Sequence, residues 1–220
     1  VNSLYTSVFN DVFTKSRNEI KIGKLVKSIF ADKYSDKQIE QFVNRYKSIL
    51  EQPSEVFEIV SGDDIAKWYK QDNYLELKGT MGSSCMRNMS DKTFKIYTHN
   101  PEVCQMLILR NIDENKIIGR SLIWTLSIST NNVTKLMDRI YTIKDSDIIK
   151  FQDKAKEMNI PTKWAQSYDS VNYINMNGVK TREYMEVQLK PIKEKEFDYE
   201  VYPYVDTFRQ YDYTTGILYN

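Results

Sequence analysis

The sequence predicts an α+β protein: a mainly antiparallel sheet with packed helices, preceded by an N-terminal helical hairpin. Three observations predict it. In residues 101–158, two apolar runs flank the turn Asn111-Ile112-Asp113-Glu114-Asn115, and a third run leads into an amphipathic segment. Residues 18–50 carry apolar side chains at helical spacing instead. The composition, 41% hydrophobic and 28% charged, is that of a globular chain, with no apolar run near the roughly 18 residues needed to span a bilayer. Two parts are expected: a helical hairpin subdomain over 1–55 and an α+β core over 56–220 with a Tyr-rich C-terminal segment.

Residues 1–14 mix Asn, Ser, Tyr and Asp with single hydrophobes, and no secretory leader is expected there. A first helix is predicted over 18–30, with Ile22, Leu25, Val26, Ile29 and Phe30 on one stripe. Its outer face is basic through Lys21, Lys24 and Lys27. This is read as a solvated face, or as a contact for phosphates or an acidic partner. Ser35 followed by Gln38 has the form of a capping box, and Ile39, Phe42, Val43, Tyr46, Ile49 and Leu50 continue a second helix up to Pro53. Ser61 is placed to cap a third helix bearing Ile65, Trp68 and Tyr69, with Asp63 and Asp64 in its first turn as dipole partners rather than metal ligands.

Tyr74-Leu75-Glu76-Leu77 reads as a short strand. The next segment, Gly79-Thr80-Met81-Gly82-Ser83-Ser84-Cys85-Met86-Arg87, places a cysteine after a Gly/Ser turn, entering a helix and close to Arg87, where the helix N-terminus and the cation can stabilise a thiolate. Cys85, Arg87 and His99 are the candidate catalytic set. The string is similar to the Gly-Ser-Cys of papain-like proteases, but such enzymes draw their base from well over a hundred residues downstream. Here the only histidine, His99, follows Cys85 by fourteen positions. The preferred reading is a Gly/Ser loop with a small, semi-buried cysteine. Two cysteines and one histidine make neither a disulfide framework nor a zinc set, so no metal is expected.

Residues 103–109 form a near-continuous apolar run, as in a strand covered on both faces, and place Cys104 in the core. The return strand over 116–126 carries Gly119, whose place in a strand interior signals a bulge or a close approach. Arg120 beside it is taken as an exposed binding residue. A third strand over 136–143 leads through Lys144-Asp145-Ser146-Asp147, read as a helix cap, into a helix with Ile148, Phe151, Ala155 and Met158. After the turn Asn175-Met176-Asn177-Gly178 a further strand is predicted over 179–190. Lys193-Glu194-Lys195-Glu196 reads as a solvated connection. The final segment gathers Phe197, Tyr199, Tyr202, Tyr204, Phe208, Tyr211, Tyr213 and Tyr219 with Arg209. It is read as an aromatic strap across the core, as a protein interface, or as a platform for stacking bases. Tyr202, Tyr204, Arg209 and Tyr211 are its candidate binding residues.

The central block resembles the middle of the GNAT acyltransferase fold. There a hairpin ending in a phrase like Lys116-Ile117-Ile118-Gly119-Arg120-Ser121-Leu122-Ile123-Trp124 precedes a strand and a helix whose N-terminus receives the pyrophosphate of acetyl-CoA. That family carries an Arg/Gln-x-x-Gly-x-Gly/Ala loop at the junction, whereas this chain reads Thr142-Ile143-Lys144-Asp145-Ser146-Asp147, with no glycine and two carboxylates at the anion position. No cofactor is therefore expected.

The strings Ser84-Cys85-Met86-Arg87, Asn100-Pro101-Glu102-Val103-Cys104-Gln105, Ile118-Gly119-Arg120-Ser121-Leu122-Ile123-Trp124 and Met137-Asp138-Arg139-Ile140-Tyr141-Thr142 together resemble a group of uncharacterised proteins of tailed bacteriophages with AT-rich genomes. The resemblance implies a phage protein made in the cytoplasm of a bacterial host, or packaged in the virion. A net charge of +1 removes the global electrostatic case for nucleic acid. The leading expectation is a non-catalytic binding or assembly module acting through contacts with other phage proteins or a second copy of itself, with no membrane partner. A divergent acyltransferase and a thiol-dependent enzyme using Cys85 are the alternatives, and nucleic-acid binding ranks last.

Overall fold

The computed structural model describes residues 2–9, 12–30, 33–50, 54–167, 173–190, 206–212 and 214–220. The chain divides into two compact units, Val1–Ser54 and Glu55–Asn220. Among the described residues, no helix is long and apolar enough to cross a membrane.

The first unit holds a hairpin of β1 (Asn2–Phe9) and β2 (Val12–Lys21), followed by α1 (Ile22–Phe30) and α2 (Asp36–Leu50). The hairpin corrects the expectation of helix from residue 18. Asn18, Glu19 and Lys21 pair with Tyr5, Leu4 and Asn2, so strand pairing claims the residues that precede the apolar stripe. The stripe itself, from Ile22 to Phe30, is helical as predicted. The capping box forms: Ser35 N donates to Gln38 Oε1 at 2.9 Å, and Gln38 N to Ser35 Oγ at 3.3 Å.

In the second unit, β3 (Glu55–Ser61) precedes α3 (Asp63–Tyr69), α4 (Gly79–Gly82) and α5 (Lys95–Thr98). β4 (Cys104–Asn111), β5 (Lys116–Thr125), β6 (Ile128–Ser129) and β7 (Lys135–Thr142) lead to α6 (Asp147–Glu157). The chain then runs through β8 (Thr162–Lys163), β9 (Tyr173–Met176), β10 (Val179–Arg182), β11 (Met185–Gln188), β12 (Gln210–Asp212) and β13 (Ile217–Tyr219). Among the described residues, seven strands form one sheet in the order β10-β9-β8-β7-β5-β4-β3, and four form another in the order β12-β13-β11-β6. Pairing is antiparallel except at β7–β8, where α6 makes the crossover that a parallel neighbour requires. The fold is thus α+β.

Several local expectations change. β3 is an unpredicted edge strand, paired along its whole length with β4. Ser61 ends that strand instead of capping α3, and Gly62 at φ 59° makes the turn. Tyr74 forms a single bridge with Ile117 rather than a strand. Ser146 precedes α6 without a side-chain cap bond. The expected strand over 179–190 divides because Glu183, 1% exposed, turns inward to accept the Asn131 N–H at 2.8 Å, sending β10 and β11 to different sheets. Asn177 and Gly178, at φ 53° and 88°, supply the tight turn between β9 and β10.

The core lies on both faces of β4, β5 and β7. On one face Gly119 of β5 admits the ring of Phe151 from α6, so close that a Cβ there would stand 2.6 Å from Phe151 Cε2. The β4–β5 register shifts next to it, after Leu109. On the other face Trp124, Tyr97, Tyr69 and Phe94 form a chain of ring contacts with centroids 5.0–5.9 Å apart. Cys104 is fully buried, and burial pushes its thiol well up. Phe208 closes the face against Trp124 at 5.6 Å. The described part of the C-terminal segment therefore does pack on the core, while Phe197, Tyr199, Tyr202, Tyr204, Tyr213 and residues 193–196 lie outside the described residues.

Candidate functional site

The central position of β5 decides the fate of Arg120. With β4 and β7 on either side and α3, Tyr74 and the 83–86 turn above it, the side chain is 1% exposed, which corrects the expectation of a solvent-facing arginine. A guanidinium cannot discharge itself, so its surroundings must replace water. Its Nη2 donates to Ser84 Oγ at 2.9 Å and Tyr74 Oη at 3.3 Å. Its Cζ lies 4.1 Å from the Tyr69 ring centroid and 4.6 Å from that of Tyr141, so aromatic faces do much of the solvation. Burial pushes the Tyr69 phenol well up, which keeps that ring neutral. No carboxylate bonds to Arg120 among the described residues, and its Nε–H has no acceptor.

Beside this guanidinium a cavity of about 180 Å³ opens between the 83–86 turn and Arg139, Tyr141 and Asp206. β7 supplies Arg139 and Tyr141. Tyr141 Oη donates to the Asp206 carboxylate, with oxygen separations of 3.0 and 2.9 Å, and Arg139 Nη1 lies 3.5 Å from Asp206 Oδ1. Asp206 takes φ 34°, in the left-handed region that few non-glycine residues enter, which aims its carboxylate at β7. Arg139 also has a buried Nε–H without an acceptor, at a cost of about 1–3 kcal/mol for such a donor.

Behind the wall, Asp138 receives Thr207 Oγ1–H at 2.5 Å, Trp124 Nε1–H at 3.2 Å and the Arg139 backbone N–H at 2.7 Å. Burial, and then neighbouring Asp206, raise its carboxyl from 3.8 to about 6, against the opposing pull of Lys163 and of its donors. The folded chain thus keeps a proton on Asp138 that the unfolded chain releases above about pH 4. This group favours folding at low pH, and the advantage is lost as pH rises to about 6, a change of about 3 kcal/mol. Unfolding titrations from pH 4 to 7 therefore show wild type losing stability relative to Asp138→Asn. A constant difference across that range contradicts the assignment.

Of the predicted catalytic set, the structure brings only Cys85 to the cavity wall, where it is exposed on the Cys85–Asn88 turn, which corrects the expectation of a semi-buried thiol. Arg87 donates to Gln71 Oε1 at 3.2 Å and to the Gly82 carbonyl, which engages it away from the thiol. His99 is exposed at the end of α5, its N–H on Lys95 O at 3.0 Å. The turn holding Cys85 is four residues long, so it lacks the long helix dipole that the sequence reading invoked. Lys21, Lys24 and Lys27 are exposed in the first unit, with Lys27 paired to Asp36 at 2.5 Å. Arg209 is exposed, and Tyr211 is half-buried against the core. Tyr202 and Tyr204 lie outside the described residues.

Sequence reading missed Tyr69, Ser84, Asp138, Arg139, Tyr141 and Asp206 as members of one site. The available signal was Asp138 and Arg139 inside an apolar strand, since charges in such a run are retained only with partners. Among the described residues, no group of three or more His, Cys, Asp or Glu side chains could hold a metal ion. Comparison with protein-family models, with curated proteins and with solved structures finds no match.

Proposed function

We propose that the chain is a non-catalytic binding module, encoded by a tailed bacteriophage, whose second unit holds a partner protein at the cavity beside the 83–86 turn. The observation that carries this reading is that the cavity wall is tied together by its own side chains. Arg120 holds Ser84, Tyr141 holds Asp206, and Arg139 leans on the same carboxylate. Such a site loses little conformational freedom when a ligand arrives, which suits recognition. The phage origin rests on the resemblance of the strings named above, and the partner is another phage protein or a second copy of the chain.

A thiol-dependent enzyme is the second reading, favoured by the exposure of Cys85 on the cavity wall. The engagement of Arg87 with Gln71 and Gly82 weighs against it. For an acyltransferase of GNAT type the strand-to-helix junction is unfavourable: Thr142 N–H is taken by Thr80 Oγ1 at 2.8 Å, and buried Asp147 pairs with Lys150 at 2.9 Å where a pyrophosphate would sit. Nucleic-acid binding finds no support in a cavity that contains a carboxylate.

The test is a pull-down from lysate of infected cells, read by quantitative mass spectrometry, with wild type and Arg139→Gln as parallel baits. A partner held by wild type and depleted at least about tenfold with the variant is the expected result. Equal capture by both baits overturns the reading.

A further inference from the structure

We propose that this cavity is a carboxylate-binding site, which takes the free carboxylate of a partner chain on Ser84 Oγ–H and the Arg139 guanidinium. This deepens the binding-module reading and rests on it.

Two donors with nothing to donate to mark the site. Ser84 is 5% exposed and lines the cavity. Its Oγ accepts from Arg120 Nη2 at 2.9 Å, and because a guanidinium only donates, the serine's own proton needs a different acceptor. None is found among the described residues. Arg139 also lines the cavity, and while its Nη1 faces Asp206 and Tyr141, its buried Nε–H has no acceptor. The Nε–H edge of a guanidinium is planar and matches the two oxygens of a carboxylate.

Charge selects among anions. Arg139 faces the one carboxylate of the wall, Asp206, while Arg120 behind Ser84 is bonded to no carboxylate among the described residues, which leaves a single positive charge in excess. Behind them Lys163 and Asp138 offset each other. A monoanion neutralises the site, whereas a phosphate dianion overcharges a pocket whose walls are largely dehydrated. Asp206 does not take the Nε–H, because it meets Arg139 only through Nη1, at 3.5 Å. The volume of about 180 Å³ admits a carboxylate with the few atoms that carry it, not a nucleotide.

Cys85 provides the readout, since it lies on the cavity wall while Cys104 is fully buried. Iodoacetate and iodoacetamide alkylate a thiolate by the same displacement: sulfur bonds to the methylene carbon and iodide leaves. They differ in that one carries a carboxylate. Their rate ratio therefore cancels the intrinsic reactivity of the thiol and reports anion capture. The site predicts an iodoacetate-to-iodoacetamide ratio at Cys85 about tenfold or more above that of glutathione, the scale of one charge-assisted contact. Ser84→Ala and, separately, Arg139→Lys return it toward the glutathione value.

Saturable protection of Cys85 by N-acetylglycine identifies a chain terminus as the source of the carboxylate. Protection by N-acetylglutamic acid α-amide identifies an acidic side chain. A ratio equal to that of glutathione and unmoved by both substitutions overturns the proposal, as does protection by inorganic phosphate in place of both carboxylates. If the ratio is ordinary while Arg139→Gln still loses its partner in the pull-down, the carboxylate assignment alone fails. If both baits capture the partner equally, the binding-module reading fails with it.

Discussion

Replacing Trp124 by alanine lowers the stability of the second unit by about 3–5 kcal/mol, read as a shift in the urea midpoint at unchanged slope. The indole is fully buried and touches Tyr97 and Phe208, with ring centroids 5.9 and 5.6 Å away. Its removal opens a cavity that rings anchored on α5 and in the C-terminal segment cannot follow inward to fill. It also takes one donor from Asp138, whose Oδ2 receives Trp124 Nε1–H at 3.2 Å. The loss reaches the cavity, because Asp138 holds Thr207, the residue next to Asp206. A change of less than about 1 kcal/mol contradicts the placement of Trp124 at the junction of core and site.

Gly119→Val is the second large effect. A Cβ at this position stands 2.6 Å from Phe151 Cε2, 3.0 Å from Phe151 Cζ and 3.1 Å from Thr142 Cγ2. The ring cannot retreat, since it is fully buried and meets Phe57 edge-on at 5.1 Å. Overpacking of this kind costs about 3 kcal/mol, measured again by denaturant unfolding. The pair Gly119→Val with Phe151→Ala recovers part of that loss if the clash is its cause. A strictly additive double variant shows that the cause lies elsewhere, in the bulge after Leu109.

What the sequence could reveal was set by how local the determining interactions are. The Ser35–Gln38 box, the stripe from Ile22 to Phe30 and the turn at Asn177-Gly178 are each decided within a few residues, and each was legible. Gly119 was legible too, because a glycine inside an apolar strand has few explanations other than a bulge or a close approach, and here both occur. The β1–β2 hairpin was not, because residues 18–21 are fixed by partners at the far end of the unit. β3 escaped notice for the same reason: its pairing with β4 crosses the intervening helices.

The site was the least legible feature. Arg120 looked exposed because alternation along β5 shows a charge on one face and cannot show Tyr69, Tyr74 and Tyr141 arriving from three other segments to cover it. Ser84, Arg139 and Asp206 likewise meet only in the folded chain. The Gly/Ser turn with Cys85 drew attention for its thiol, whereas its neighbour Ser84 carries the unsatisfied donor.

In the reading proposed above, the cavity, and not the sheet edges or the basic helix face, meets the partner. Hydrogen–deuterium exchange of the wild-type chain with and without its captured partner tests this most directly. The expected result is slower exchange on binding at the amides of residues 83–86 and around Asp206. Protection confined to β10 or to α1, with the 83–86 turn exchanging as fast as in the free chain, would contradict it.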